Sequence, residues 1–376
     1  MKLYEYEARE IFSKYSIPVP RGFLVRGLNE VYRVLKEISF PIVIKAQVLI
    51  ARRARLGGIK FADNVEDALR IIKEMLGREL NGFKVREVLL VEKVDIVKEF
   101  YVGFVIDRAS KSIAFIASRY GGMELEDIAR QRPESIVKYK LDIFTGFRDY
   151  IARNTAYKLE LSGESIKDFI KITNSLYRLF IDYECELAEI NPLALTPDNR
   201  LLALDTRMIV DDNALYRHPE LINKGELRTL SKDEIRAREY GFNYIELEGD
   251  IGIIGNGAGL TMATMDLVGL YGGKPADFLD IGGGARADRV KEALKILLKN
   301  RRVKVILINI LGGITRCDEV ANGIIKALEE TGINKPLIVR LTGTEEEKGR
   351  NILRIHDIQV FNSIEEAARE AVRLVR

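Results

Sequence analysis

The chain has 376 residues, enough for two domains, and its 47% hydrophobic and 31% charged content suits ordinary cores under a well-solvated surface. Its 59 Lys and Arg against 56 Asp and Glu leave a net charge of +3, which argues against a nucleic-acid binder, for which a strongly basic domain is expected. Two distant cysteines, Cys185 and Cys317, fit neither a disulfide framework nor a zinc site, and no apolar run approaches the roughly 18 to 20 residues that span a bilayer.

In chain order, the acidic, amphipathic start MKLYEYEAREIF is unlike a signal peptide and predicts a helix over 4–15 in a cytoplasmic chain. An extended segment and strand follow in IPVPRGFLV, then helices near 28–38 and 64–77. Between those helices, Ile42, Val43 and Ile44 read as a buried β-branched strand that carries Lys45. Arg52, Arg53 and Arg55 crowd together before Gly57 and Gly58, and so many cations around a strand and a glycine turn point to a polyanion. REVLLVEKV (86–94), EFYVGFVID (99–107) and SIAFIAS (112–118) read as strands. A long helix over 165–182 leads to two strands around the turn Pro197–Asp198–Asn199. These strands alternate in polarity, so the sheet is expected to be largely antiparallel. The segment 218–245 reads as a connector.

The C-terminal third repeats strand, turn and helix five times: strands in DIGIIGN, ADFLDIGGG, VKVILINILGG, PLIVRLTG and IQVFNS, each with a helix after it. That order predicts a doubly wound parallel sheet, which binds ligands at the carboxyl ends of its strands. Those ends carry GNGAG, IGGGA, LGGIT and LTGT. Glycine-rich turns on one sheet edge let backbone N–H groups reach an anion at helix N-termini.

Glu189, Asn191 and Asp205 stand out in the first part. Glu189 and Asn191 alternate on one face of a strand ending at Pro192, and Asp205 ends the neighbouring strand of the same hairpin. Oxygen-bearing side chains at adjacent strand ends suit Mg²⁺, which takes few protein ligands and fills its octahedron with water and phosphate oxygens. With Lys45 and the arginine-rich turn, they suggest a Mg–nucleotide site. Only two histidines occur: His218 before a proline in YRHPEL, and His356 after a helical pattern in ILRIHD. Both read as surface or cap residues.

LAEINPLAL, LLALDTRMIVDDNALYR, IGNGAGLTMATMDLV, ADFLDIGGGA, VILINILGGITRCDEVANGII and MKLYEYEAREIF resemble the β-subunit family of succinyl-CoA synthetase (succinate–CoA ligase), and the similarity runs from residue 1 to the C-terminus. The resemblance implies a mixed fold class, α/β and α+β. An ATP-grasp nucleotide-binding domain (1–235) would be followed by a flavodoxin-like doubly wound parallel-sheet domain (236–376). It implies an α subunit that binds CoA and carries a phosphohistidine, in an αβ or α2β2 assembly. It also implies Mg²⁺, ATP/ADP or GTP/GDP, and succinate, with no nucleic acid and no membrane as partners. Malate–CoA ligase is a close relative, and a partner subunit without nucleotide turnover is the other alternative.

Carried over by position, Lys45 resembles the family's lysine on the nucleotide phosphates, and Glu92 and Glu99 the acids lining the nucleotide cleft. Asn191 and Asp205 match the Mg²⁺ ligands, and Glu189 the acid facing the phosphohistidine. Asn256, Gly313, Ile314 and Thr315 match substrate-binding positions, where a following helix would turn its positive end toward an anion. The family's phosphate loop reads Gly-Gly-Arg-Gly-Lys-Ala-Gly-Gly; here three of its glycines are Ala51, Arg52 and Ala54, while Arg53 and Arg55 fall on the arginine and the lysine. Tyr120 replaces a usual glutamate, and Thr206–Arg207 a small residue and lysine. An extended loop would put Arg53 and Arg55 on one face and turn Arg52 away.

The absence of a credible phosphohistidine gives the first test. Phosphoenzyme formation by the α–β complex is expected to persist when His218→Gln and His356→Gln are combined, as read by transfer of radiolabelled phosphate. Loss of the phosphoenzyme in either single variant that still folds would place the reactive histidine on this chain.

Overall fold

The first helix, α1 (Glu5–Lys14), buries Ala8, Ile11 and Phe12, a three-to-four-residue spacing that puts them on one face. In this computed structural model, which describes residues 1–50, 53–228, 230–333 and 335–376, the chain forms two compact units, Met1–Thr229 and Leu230–Arg376.

The first unit holds two antiparallel sheets. After β1 (Gly22–Val25) come α2 (Leu28–Glu37), β2 (Ile42–Ala46), β3 (Ile59–Ala62) and α3 (Val65–Met75). A short hairpin, β4 (Glu79–Leu80) and β5 (Phe83–Lys84), leads to β6 (Val88–Glu92). The order β1-β6-β2-β3 makes the smaller sheet, antiparallel throughout. Helix α2 buries Val31, Val34 and Leu35, and α3 buries Ala68, Ile71, Ile72 and Met75, in one core with Ile42, Ile44 and Leu90. Asn64 starts α3 by accepting the Asp67 N–H at 2.9 Å.

The larger sheet uses β7 (Lys98–Asp107), β8 (Ser112–Ser118), β9 (Ile136–Leu141), β10 (Cys185–Leu195), β11 (Leu201–Ala203) and β12 (Thr206–Val210). Between them lie α4 (Leu125–Gln131), α5 (Asp149–Lys158) and α6 (Glu164–Asp182). The strand order is β11-β10-β7-β8-β9, and β12 also pairs with β10. Thus β10 has β7 on one side, and on the other β11 and β12 in series, separated by Leu204 and Asp205. That interruption brings Asp205 beside Asn191, whose N–H donates to the Asp205 carbonyl at 3.0 Å. Phe104 anchors the core, with ring centroids 4.9 Å from Phe115, 5.1 Å from Phe147 and 5.3 Å from Tyr177.

The second unit begins with α7 (Lys232–Glu239) and β13 (Asn243–Glu246). It continues as β14 (Ile251–Gly255), α8 (Ala258–Leu270), β15 (Asp277–Asp280), α9 (Ala287–Lys299), β16 (Val305–Gly312) and α10 (Cys317–Thr331). It closes with β17 (Leu337–Gly343), α11 (Glu346–Ile355), β18 (Val360–Phe361) and α12 (Ile364–Arg373). The sheet order is β13-β15-β14-β16-β17-β18. The five expected strands are parallel and, counted from β14, run 2-1-3-4-5, the flavodoxin-like order. Ile254, Ile306, Ile308 and Val339 share a core with α9 and α10, while Ile253, Val305, Leu307 and Ile338 share another with α8 and α12. Covering both faces is what makes these strands solid apolar runs.

Two elements occupy the stretch read as a connector. Helix α7 starts at a capping box, Ser231 with Glu234, and β13 pairs antiparallel with β15 at the sheet edge. Buried Phe242 and Tyr244 hold this edge on the core. Strands β3 and β9 and helices α4 and α5 were likewise not expected from the sequence.

Phe104→Ala is expected to destabilise the first unit by about 3–5 kcal/mol, the range for truncating a buried phenylalanine. Urea denaturation measures this, and a loss under 1 kcal/mol, against about 3 for an ordinary core truncation, would remove Phe104 from the core's centre.

Candidate functional site

A cavity of about 450 Å³ opens in the first unit among α1, the β2–β3 turn, the loop after β8, and the strand ends around Asp205. Its polar lining includes Glu5, Arg53, Glu99, Glu189, Asn191 and Asp205.

Four charges meet at one side. Glu5, at the start of α1, accepts from the Lys45 ammonium at 2.7 Å through one oxygen and from the Arg53 guanidinium through the other. Arg53 also donates to Asp205 at 2.8 Å and to the Ala46 carbonyl at 3.1 Å, and Lys45 to the Leu204 carbonyl at 2.7 Å. Burial works against the Glu5 charge, but Arg53 and then Lys45 outweigh it and hold the carboxyl at about 2. For Asp205, burial prevails over Arg53, and the neighbouring Glu5 charge adds to it, so its carboxyl is raised. Burial also opposes the Arg53 charge, yet the two carboxylates keep the guanidinium firmly protonated.

Asn191 and Glu189 face the cavity from β10. The Asn191 amide accepts the Gly122 N–H at 2.8 Å and donates to the Met123 carbonyl at 2.7 Å, which fixes its oxygen in place. Gly122 sits at φ +69°, and a Cβ there would come within 2.7 Å of the Glu99 carboxylate, so the loop needs glycine at this point. Glu189 accepts from the Tyr101 hydroxyl at 2.8 Å and from Arg207 at 3.4 Å. Burial raises its carboxyl against the pull of Arg207 and Tyr101. Burial and Glu189 together push the Tyr101 hydroxyl well above its ordinary range, so it remains a donor.

The structure thus gathers Arg53, Glu99, Glu189, Asn191 and Asp205 around one space, and departs from the sequence reading elsewhere. Lys45 does not line the cavity; its ammonium lies behind, locked to Glu5 and Leu204. Glu92 lies outside the lining, with its carboxylate turned to the Ser39 N–H at 3.1 Å. The loop is not extended. Gly57 and Gly58 donate back to the Ala54 and Arg53 carbonyls at 3.1 and 2.8 Å, closing a turn that separates the arginines. Arg53 points inward, whereas Arg55 is 62% exposed at the rim and pairs with Asp127 at 3.3 Å. Ala51 and Arg52 lie outside the described residues.

Glu5 is the residue the sequence reading missed. An acid in a helix's first turn complements the macrodipole in any surface helix, and nothing local marks it as the counter-ion of cations 40 and 48 residues away. Among the described residues, no group of three or more His, Cys, Asp and Glu is placed to hold a metal. Asn191 and Asp205 present oxygens to the same cavity, and Asp205 already takes a cationic partner in Arg53. This suits a hard ion that completes its shell with water and phosphate oxygens.

In the second unit, Asn256 donates to the Leu311 carbonyl at 3.0 Å and to the Thr315 hydroxyl at 3.1 Å, and that hydroxyl also accepts the Gly284 N–H at 2.9 Å. Three glycine-rich loops are therefore tied together at the strands' carboxyl ends. Gly313 lies in this cluster, and Ile314 is 87% exposed. Helix α10 starts at Cys317, just beyond Thr315; within its first turn the Glu319 N–H donates to Asp318 at 3.0 Å. Both histidines are engaged outside the cavity: His218 with Glu184 at 3.2 Å, and His356 with the Ile352 carbonyl at 3.0 Å.

Residues 2–195 match the ATP-grasp domain family, and residues 254–374 match the CoA-ligase family. The chain is 49% identical over its whole length to the ADP-forming succinate–CoA ligase subunit beta of Ignicoccus hospitalis, which it also covers completely. The same-named proteins of Desulfurococcus amylolyticus and Bacteroides thetaiotaomicron are 47% and 46% identical, with 99% or more of each chain covered. Among solved structures, ATP citrate lyase from Methanothrix soehngenii superposes with a TM-score of 0.79 over 99% of both chains at 20% identity, a likeness of fold.

The Tyr101–Glu189 pair gives a test with a sign. An acid whose folded value lies above its unfolded value binds a proton more tightly when folded, so it lowers stability as pH rises from the ordinary glutamate range through the folded value. Tyr101→Phe removes a donor to the charged form and raises Glu189 further. The variant is expected to lose about 2 kcal/mol of unfolding free energy at neutral pH and less below the glutamate range. Urea denaturation across pH checks this, and an equal loss at every pH would mean that the hydroxyl does not support the Glu189 charge.

Proposed function

The chain belongs to the β-subunit family of succinate–CoA ligases, and on that premise we propose that it is the nucleotide-binding subunit of an acid–CoA ligase working with an α partner. Succinate, CoA and ATP become succinyl-CoA, ADP and phosphate, reversibly, through a phosphohistidine on the partner. The names of the relatives, which read ADP-forming, favour ATP over GTP.

The observation that carries this reading is the meeting of Arg53, Glu189, Asn191 and Asp205 on one cavity. A guanidinium binds phosphate oxygens bidentately and keeps its charge at any physiological pH, so Arg53 can hold the phosphate chain where the family uses glycine backbone. Asn191 and Asp205 would hold Mg²⁺, which neutralises charge on the transferring phosphoryl group. Glu189, fixed by Tyr101 and Arg207, would accept one N–H of the partner's imidazole and leave the other nitrogen to attack phosphorus. That step forms an N–P bond as the bond to the ADP oxygen breaks. The phosphoryl group then passes to the acid's carboxylate, and CoA sulfur displaces it as phosphate. Asn256, Gly313, Ile314 and Thr315 would serve the carboxylate acid.

Calorimetric titration of the α–β complex with Mg-ATP tests this function. Arg53→Gln is expected to weaken binding by about 2 kcal/mol, the scale of charge-assisted hydrogen bonds, and Arg55→Gln much less, because its side chain stands at the rim. Asp205→Ala should abolish the Mg²⁺ dependence of binding. Absence of nucleotide binding by the unmodified complex would overturn the reading and favour a non-catalytic partner subunit.

A further inference from the structure

Lys45, on β2, and Arg53, in the turn after it, carry the same charge and are both largely withdrawn from water. Their side chains are 11% and 8% exposed, and Glu5, placed between them, is 4% exposed. We propose that Glu5 is a positioning residue for the nucleotide's phosphates: one carboxylate oxygen locks the Lys45 ammonium and the other aims the Arg53 guanidinium into the cavity. The proposal rests on the nucleotide reading of that cavity.

Glu5 is itself firmly held. It is the first residue of α1, and Gln47 donates to the same oxygen that takes Arg53, at 3.4 Å. The carbonyl of the Gln47 side chain in turn accepts the Tyr6 N–H at 3.1 Å, which ties the start of α1 to the end of β2. An anion bound at a helix start is favoured by the backbone dipole there, and a carboxylate with several donors keeps its charge. Without Glu5, and among the described residues, Lys45 retains the Leu204 carbonyl, and Arg53 retains Asp205 and the Ala46 carbonyl. Two buried like charges with no anion between them would separate or turn to solvent.

The two carboxylates that share Arg53 are not equivalent. Asp205 is 29% exposed, whereas Glu5 is nearly sealed and is held by donors from Lys45, Arg53 and Gln47. Asp205 is therefore the partner that can let go of the guanidinium when a metal or phosphate arrives. Glu5 is the partner that stays and keeps Arg53 at the cavity while Asp205 turns to its new ligand.

A double-mutant cycle in the α–β complex separates positioning from plain structural support. Glu5→Gln and Arg53→Gln are each expected to raise the KM for ATP by about tenfold or more, the scale of one charge-assisted hydrogen bond, with the KM values for CoA and the acid unchanged. The double variant should be no worse than Arg53→Gln alone, because Glu5 acts through Arg53. Glu5→Asp, which keeps the charge but cannot span both cations, is expected to fall between Glu5→Gln and the unmodified protein. It carries the same cycle if Glu5→Gln fails to fold. An unchanged KM for ATP in the Glu5 variants, or an effect that multiplies fully with that of Arg53→Gln, overturns the positioning role. If Arg53→Gln alone leaves the KM for ATP unchanged, the nucleotide reading of the cavity has failed, and the Glu5 proposal falls with it.

Discussion

Lys45, Arg53, Glu5 and Asp205 come from four places in the chain: β2, the turn after it, the first residue of α1, and the break between β11 and β12. Each would be costly to bury alone, since an unpaired charge in a protein interior loses its hydration with nothing in return. Together they are mutually satisfied. The cluster therefore exists only when α1, the smaller sheet and the end of the larger sheet are all in place, and each of those elements is in turn held where the charges need it. Fold and site are, in this corner of the molecule, one constraint.

The second unit meets a different requirement. Its parallel strands are covered on both faces, so their residues are apolar throughout, and chemistry is left to the loops that leave the sheet. Asn256, Gly284 and Thr315 come from three such loops and bond to one another. Their hydrogen bonds knit the loop edge into a preorganised surface, in the way the charge cluster organises the first unit.

How much of this could be read in advance depended on how local the cause was. Solid apolar runs ending in glycine announced the parallel sheet, and alternation placed Glu189 and Asn191 on one face of β10. The stretch SKDE shows the spacing of a capping box, so α7 had a signal in the sequence that the connector reading passed over. Edge strand β13 had a weaker one, a few residues around Tyr244. The loop arginines part because side-chain alternation holds for an extended chain, and backbone hydrogen bonds from Gly57 and Gly58 bend this one into a turn. Glu92 faces away from the cavity lining because the direction of a strand-end carboxylate is set by its neighbours, here the Ser39 N–H, and not by the strand pattern. Glu5 had no local mark at all, because its role depends on cations delivered by tertiary folding.

The mutual neutralisation of the cluster also shapes how the cavity is seen from a distance. Its inner cations are matched by carboxylates, and the rim arginines, Arg55 and Arg207, are paired with Asp127 and Glu189. Charges paired in this way project little net field into solvent, unlike a cleft lined by one sign of charge, which gathers counter-ions from beyond a Debye length. If the cavity takes a polyanion as proposed, long-range attraction would contribute little to the encounter. The ligand would gain its hold on arrival, by taking over a partner that a carboxylate such as Asp205 gives up, so encounter would be governed by diffusion and shape, and selectivity by the exchange itself.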